Sequence, residues 1–196
     1  QTVALDGIIR NVRALNYLVE DLFDSARIAS GKLRLQRSET RIQEVAHEVL
    51  TAIQPGAEAK KLRISTDIDG AIPSFFADPR RLRQALTNLL NNAVKFTPEG
   101  GMISIKVARR RDVVECVISD TGRGIKAGFM PLIFDKFSQD TDSLKNRSAG
   151  LGLGLAIVQE IAELHGGSIT ANSDGPDKGA SFVLRLPFRT SCRRTS

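Results

Sequence analysis

The chain has 196 residues, room for one ordinary domain and an appendage; 41% hydrophobic and 26% charged residues make it globular rather than disordered or membrane-embedded. No apolar run approaches the about 20 residues that cross a bilayer, there is no secretory leader, and Gln1 in place of methionine reads as a piece of a longer protein. The net charge of +6 invites a nucleic-acid reading, but the basic residues are spread widely and, with no Trp and one Tyr, platforms for stacking bases would rest on Phe alone. Cys116 and Cys192 form no metal or redox spacing, which fits a reducing cytosol, and His47 and His165 are too few for a zinc cluster.

Residues 2–30 place Leu5, Ile8, Val12, Leu15, Val19, Leu22, Ala26 and Ala29 in alternating steps of three and four, a heptad seam. Ile9, Leu18, Phe23 and Ile28 widen the stripe, so the pattern predicts a long coiled-coil or bundle helix. Left without a partner, such a strip predicts self-association or partial melting. Ser30-Gly31 ends it. Lys32–Gln36 then predicts a short strand, and Thr40 a cap for a helix running to about Ile53, before Pro55-Gly56. Leu62–Ile68 predicts a strand and Asp69-Gly70 a turn.

Asp78 to Pro98 is the most informative stretch. Leu82, Ala85, Leu86, Leu89, Leu90 and Ala93 recur at helical spacing, Asp78 and Pro79 form a start signal, and Pro98 forbids continuation. Asn88, Asn92 and Lys95 stand at i, i+4 and i+7 and share one side. An amide oxygen can ligate Mg²⁺ and a lysine can hold a phosphate as a point charge. Taken alone, the side reads equally well as a solvated polar stripe.

Met102–Ala108 and Asp112–Ser119 predict a hairpin joined by Arg109–Arg111, and residues 120–150 read as irregular around an apolar Phe129–Phe137. A helix over Gly154–His165, strands over Gly167–Ala171 and Ser181–Pro187, and a frayed tail complete the chain. The predicted fold is α+β. It is a two-layer sandwich, a mixed sheet of about five strands with about three helices on one face, preceded by the long helix. The predicted division is 1–31 for that helix, 32–188 for the sandwich and 189–196 for the tail.

Asp120-Thr121-Gly122-Arg123-Gly124-Ile125 follows a strand, where a carboxylate can accept a hydrogen bond from an exocyclic amine, although a strand followed by DxGxG is also a common turn. Gly150-Leu151-Gly152-Leu153-Gly154-Leu155 opens a helix and leaves backbone N–H groups uncovered for a phosphate. The dinucleotide fingerprint would need GxGxxG between a strand and a helix, and the spacing here is GxGxG.

Together these stretches resemble the ATP-binding catalytic domain of sensor histidine kinases, within the gyrase-type ATPase superfamily. NLLNNAVKFTP is similar to that family's N box, DTGRGI to its first glycine box and FDKF at Phe134–Phe137 to its phenylalanine box. GLGLGLAIV is similar to its second glycine box, GPDKGASF to its terminal glycine segment, and NVRALNYLVEDLFDSARIASGKL to the second helix of its dimerisation hairpin.

The resemblance implies Mg²⁺ on Asn92, with Asn88 supporting metal and phosphates and Lys95 contacting the phosphates. It implies Asp120 on the adenine amine, Phe96 beside the ring and Ser181 as a polar group behind them. Gly122, Gly124, Gly150, Gly152 and Gly154, with the interleaved Leu151 and Leu153, would wall the pocket. Ser138–Ala149 would form a lid whose Lys145 or Arg147 reaches the γ-phosphate. Superfamily members that hydrolyse ATP carry a glutamate at the position of Asn88, and an amide cannot act as a general base, so a kinase fits better than a hydrolase.

The implied protein is a cytoplasmic, homodimeric histidine kinase domain. It would pass the γ-phosphate of ATP to a histidine outside these residues, for relay to a response-regulator receiver domain. His47 reads as an ordinary helix-face residue and His165 as a structural one whose cation would suit a helix C-terminus. The competing readings are a degenerate, non-catalytic interaction module and a serine kinase of the anti-sigma kind.

Overall fold

The computed structural model describes residues 34–139 and 151–190. The helix predicted over residues 2–30, the bulk of the implied lid, Lys145, Arg147, Gly150 and Cys192 lie outside the described residues. Seven strands and three α-helices follow in chain order. They are β1 (Ser38–Thr40), α1 (Ile42–Ala59), β2 (Arg63–Ile68), β3 (Phe75–Ala77), α2 (Pro79–Phe96), β4 (Met102–Arg110), β5 (Val113–Asp120), α3 (Gly154–Leu164), β6 (Ser168–Asn172) and β7 (Ala180–Pro187). Among the described residues between β5 and α3 there is one 3₁₀ turn, Met130–Leu132.

Five strands form one mixed sheet in the order β2-β4-β5-β7-β6, with β2 parallel to β4 and the remaining pairs antiparallel. Strand alternation puts Ile103, Ile105 and Val107 of β4, Val114, Cys116 and Ile118 of β5, and Phe182, Leu184 and Leu186 of β7 on one buried face. The helices cover that face. From α2 come the buried Leu82, Ala85, Leu86, Leu89, Leu90 and Ala93, and from α3 Ile157, Val158 and Ile161. Cys116 lies in this core, where burial pushes its thiol up to about 12, so it remains a protonated apolar filler.

The α+β sandwich and its five-stranded sheet are as the hydropathy pattern predicts. Three local expectations are corrected. The first strand lies at Ser38–Thr40 rather than within Lys32–Gln36, whose described part is irregular. It pairs with β3 as a separate two-stranded sheet, a pairing three residues long that only the tertiary fold can present.

Thr40 belongs to that strand and caps nothing. Buried, its hydroxyl is placed to donate to the carbonyls of Ser38 and Ala77, and the residue before α1 is Arg41. Finally, α1 runs through Pro55 to Ala59. Pro55 faces solvent, where a lost backbone hydrogen bond is least costly, while Ile53 and Ala57 hold the flanking turns in the core.

Asp78 begins α2 as expected. One carboxylate oxygen accepts from the N–H groups of Arg80 and Arg81, each at 3.1 Å. The other accepts from Gln36 N–H at 2.8 Å, which fastens the segment ahead of β1.

His165 is buried against the same corner, but not as a cation. Its Nε2 lies 3.1 Å from the N–H of Asp78, a group that can only donate, and its Nδ1 lies 2.7 Å from the carbonyl of Ile161. Those partners require a neutral ring protonated on Nδ1. Burial, reinforced by Arg37, holds its pKa below the ordinary histidine value, against smaller opposing effects of the Ile161 carbonyl and Asp78.

Candidate functional site

A cleft of about 240 Å³ opens between the C-terminal half of α2, the turn after β5, and the start of α3. The alternation that builds the sheet decides what lies in it. Val114, Cys116 and Ile118 are buried under the helices, so Asp120, the next residue in that series and the last of β5, points to the same side. There the apolar series ends on a carboxylate at the cleft.

Its Oδ1 accepts from Gly122 N–H at 2.8 Å, and Ala180 N–H acts in the same sense. Those bonds favour the anion, but burial outweighs them and the pKa is raised. Ser181 falls on the opposite side of β7 and does not line the cleft. Its hydroxyl is hydrogen-bonded to that of Ser119 at 2.8 Å, while its neighbours Ala180 and Phe182 line the cleft.

From α2, Asn88, Asn92, Lys95 and Phe96 all line the cleft. Asn88 donates its amide to the carbonyl of Gly154 at 3.2 Å, which joins α2 to the first turn of α3. The Lys95 ammonium stands 4.9 Å and the Arg123 guanidinium 4.3 Å from the centre of the Phe96 ring. Burial first, and the Arg123 charge second, lower the pKa of Lys95. Two cations are thus gathered around one aromatic ring.

The glycine turns differ in their reasons. At Gly122 a Cβ would lie 2.5 Å from the Phe96 carbonyl and 2.6 Å from Asp120 Oδ1, so a side chain there would push both out of place. Gly124 has φ +68°, and a Cβ would lie 2.0 Å from the Gly175 carbonyl. The later glycine segment supports this turn directly. Gly179 N–H donates to Gly122 O at 3.0 Å, and Asp177 N–H to Arg123 O at 2.7 Å. Ser173 Oγ accepts from Ile125 N–H at 3.0 Å and donates to Gly179 O at 2.6 Å. On the far wall Leu151, Gly152, Leu153 and Gly154 line the cleft, together with Ser138 and Gln139 from the start of the lid stretch. Phe137 N–H donates to Gly152 O at 3.0 Å, which holds the two flanks of that stretch together.

Sequence reasoning missed Asn91, Arg123, Phe129 and Ile133 as lining residues, and Ser173 as the clamp between the glycine turns. Arg123 had a signal, since it stands inside DTGRGI between the two glycines. Ser173 had none, because Ile125, the partner that makes it a clamp, is 48 residues away in the chain.

A sandwich with a one-sided helical layer, an amide-bearing helix, a strand-end carboxylate and two glycine turns around one cleft defines an ATPase domain of the gyrase and histidine-kinase type. The chain belongs to that family: the family model for histidine kinase-, DNA gyrase B- and HSP90-like ATPases matches residues 77–190. Within it the similarity runs to histidine kinases. The circadian input-output histidine kinase CikA of Synechococcus elongatus is 36% identical over 175 residues, covering 88% of this chain and 23% of CikA. The adaptive-response sensory kinase SasA of a Synechococcus species is 34% identical over 193 residues, covering 96% of this chain and 50% of SasA. Among solved structures, full-length ShkA in complex with AMPPNP superposes with a TM-score of 0.80 at 30% identity, covering 96% of this chain and 39% of ShkA. This chain therefore carries a histidine-kinase-type ATPase domain and spans half or less of those proteins.

Proposed function

We propose that the cleft binds Mg-ATP and presents its γ-phosphoryl group to a histidine outside these residues, for relay to an aspartate of a response-regulator receiver domain. The observation that carries the reading is the coincidence, in one cleft, of the strand-end carboxylate of Asp120 with the two cations around Phe96. In this reading Asp120 accepts from the adenine amine and Phe96 packs beside the base. Lys95 and Arg123 repel each other across one ring, and an anionic phosphate relieves that repulsion. Gly122 and Gly124 let the turn approach the flat base. Gly152 and Gly154, with Gly150, Leu151 and Leu153, form the phosphate-side wall, and Lys145 or Arg147 closes over the γ-phosphate.

Asn92 and Asn88 offer neutral amide oxygens, a donor set too weak for a free metal ion but suited to Mg²⁺ that arrives with phosphate oxygens as its other ligands. Bound there, the ion would neutralise charge on the phosphates. Asn92 would hold it and Asn88, fixed by its bond to Gly154, would support the metal and phosphates. Positioning and charge neutralisation are what phosphoryl transfer needs from a protein.

The acceptor must come from elsewhere. Among the described residues lining the cleft Asp120 is the one carboxylate, and in this reading it belongs to base recognition, so the described lining offers no general base to activate water. His165 is buried with both ring nitrogens engaged, and His47 lies on α1 with Nδ1 2.7 Å from the Gln43 carbonyl. The reading includes a homodimer through residues 1–31 and a cytoplasmic location. Among the described residues no helix is long and apolar enough to cross a membrane.

Calorimetric titration with ATP, with and without magnesium, tests the core of the proposal. The parent chain binds with magnesium and Asn92→Ala binds far more weakly. Equal behaviour of the two would favour a non-catalytic module, and radiolabelled phosphate stable on His47 would remove the external acceptor.

A further inference from the structure

The last carbonyls of a helix have no partner within it. At the end of α2 the carbonyls of Val94, Lys95 and Thr97 all accept from one group, the Lys60 ammonium, at 2.7, 2.8 and 3.0 Å. An ammonium has three N–H donors and no acceptor, so these bonds use its whole capacity. Its charge also stands at the negative end of the helix dipole. The remaining carbonyl of the four, that of Phe96, accepts from Arg123 N–H at 3.3 Å.

Lys60 is itself fixed, because its N–H donates to Ala57 O and its carbonyl accepts from Gly100 N–H at 2.9 Å. It follows α1 and does not line the cleft. Yet the backbone it grips carries Lys95 and Phe96, and the Phe96 carbonyl seats the Asp120–Gly124 turn.

We infer that Lys60 is a positioning residue for the cleft: by gathering the Val94, Lys95 and Thr97 carbonyls it sets the direction of Lys95 and Phe96 and the seat of the glycine turn. The inference rests on the cleft being the Mg-ATP site. Lys60→Met keeps the aliphatic stem and removes all three donors. Mg-ATP affinity is measured by calorimetry at a temperature where parent and variants are folded, alongside amide hydrogen exchange of Lys95 to Thr97. Val49→Ala serves as the control, since Val49 is buried in α1 beside Glu48, which pairs with Arg83 near the start of α2, and its truncation lowers stability at that end of the helix.

The expected result is Kd weaker on the order of ten-fold in Lys60→Met, the scale of outer-shell substitutions, with faster exchange at Lys95 to Thr97. Val49→Ala shows neither change. Lys60→Gln, which keeps two donors, loses less and decides the matter if Lys60→Met does not fold. Unchanged affinity in the folded Lys60 variants, or equal weakening in Val49→Ala, overturns the inference while leaving the cleft reading intact. A parent chain that fails to bind Mg-ATP overturns the cleft reading itself and any positioning role with it.

Discussion

Two aspartates sit at strand ends next to opposite ends of α2, and they do different work. Asp78, just after β3, is buried, and it takes two N–H groups on one oxygen and one on the other. Asp120, at the end of β5, lines a cleft, and burial raises its pKa despite two backbone donors. The first carboxylate is satisfied by its own chain and holds architecture together. The second keeps an unfavourable desolvation that a ligand can offset, and such incomplete satisfaction is what separates a binding group from a structural one of the same chemistry.

Substitution should break the pair apart cleanly. Asp78→Ala strips partners from three N–H groups and should lower unfolding stability by about 3 kcal/mol in chemical denaturation. Mg-ATP affinity measured well below the transition should hold. Asp120→Asn should do the reverse, weakening Mg-ATP binding by about ten- to a hundred-fold, the range for a hydrogen bond to a charged group.

Its effect on stability has a definite sign. A carboxyl with a raised folded pKa contributes stability that is present below the ordinary carboxylate range and lost as pH rises through the folded value. Asp120→Asn should therefore melt higher than the parent near pH 7, and the gap should close as pH falls into the acid range. A variant that melts lower at pH 7 would contradict the account of Asp120.

His165, beside Asp78, sharpens the contrast from the structural side. Its pKa is lowered, so between its folded value and the ordinary 6.5 the unfolded chain binds more protons. Melting temperatures should fall as pH drops from 6.5 through that window, and His165→Gln should flatten the trend. The smallest effect concerns Lys61, at φ 52°, which pairs with Glu99 only at the exposed surface. Lys61→Gly should raise stability by about 0.5–1 kcal/mol, because glycine tolerates that backbone and exposed ion pairs contribute little. Nucleotide affinity should not change, since Lys61 does not line the cleft and glycine keeps the φ of 52° that leaves its neighbour Lys60 in place.

Much of this was readable from residue order. The apolar spacing on α2 placed Asn88, Asn92 and Lys95 together, and the strand alternation in β5 put Asp120 in phase with its buried neighbours. Thr40 and Pro55 misled for physical reasons. Capping and breaking signals are local preferences of about 1 kcal/mol for a cap and 3 for a proline, and core burial of α1 on both sides of Pro55 outweighed them. Ser181, implied as a polar group behind the ring, lies on the other face of β7 from the lining Ala180 and Phe182, bonded to Ser119.

Periodicity and turn chemistry, which act over a few residues, thus determined the sandwich, the helix that carries the amides and the strand that ends in Asp120. Contacts between distant segments decided the remainder. These include the neutral ring of His165 on Asp78, the cations of Lys95 and Arg123 around Phe96, Ser173 between two glycine turns, and Lys60 on the carbonyls of α2. Each brings in at least one group from a distant part of the chain, where residue order leaves no trace of it, and most exist because buried donors and acceptors must find partners wherever the fold brings them.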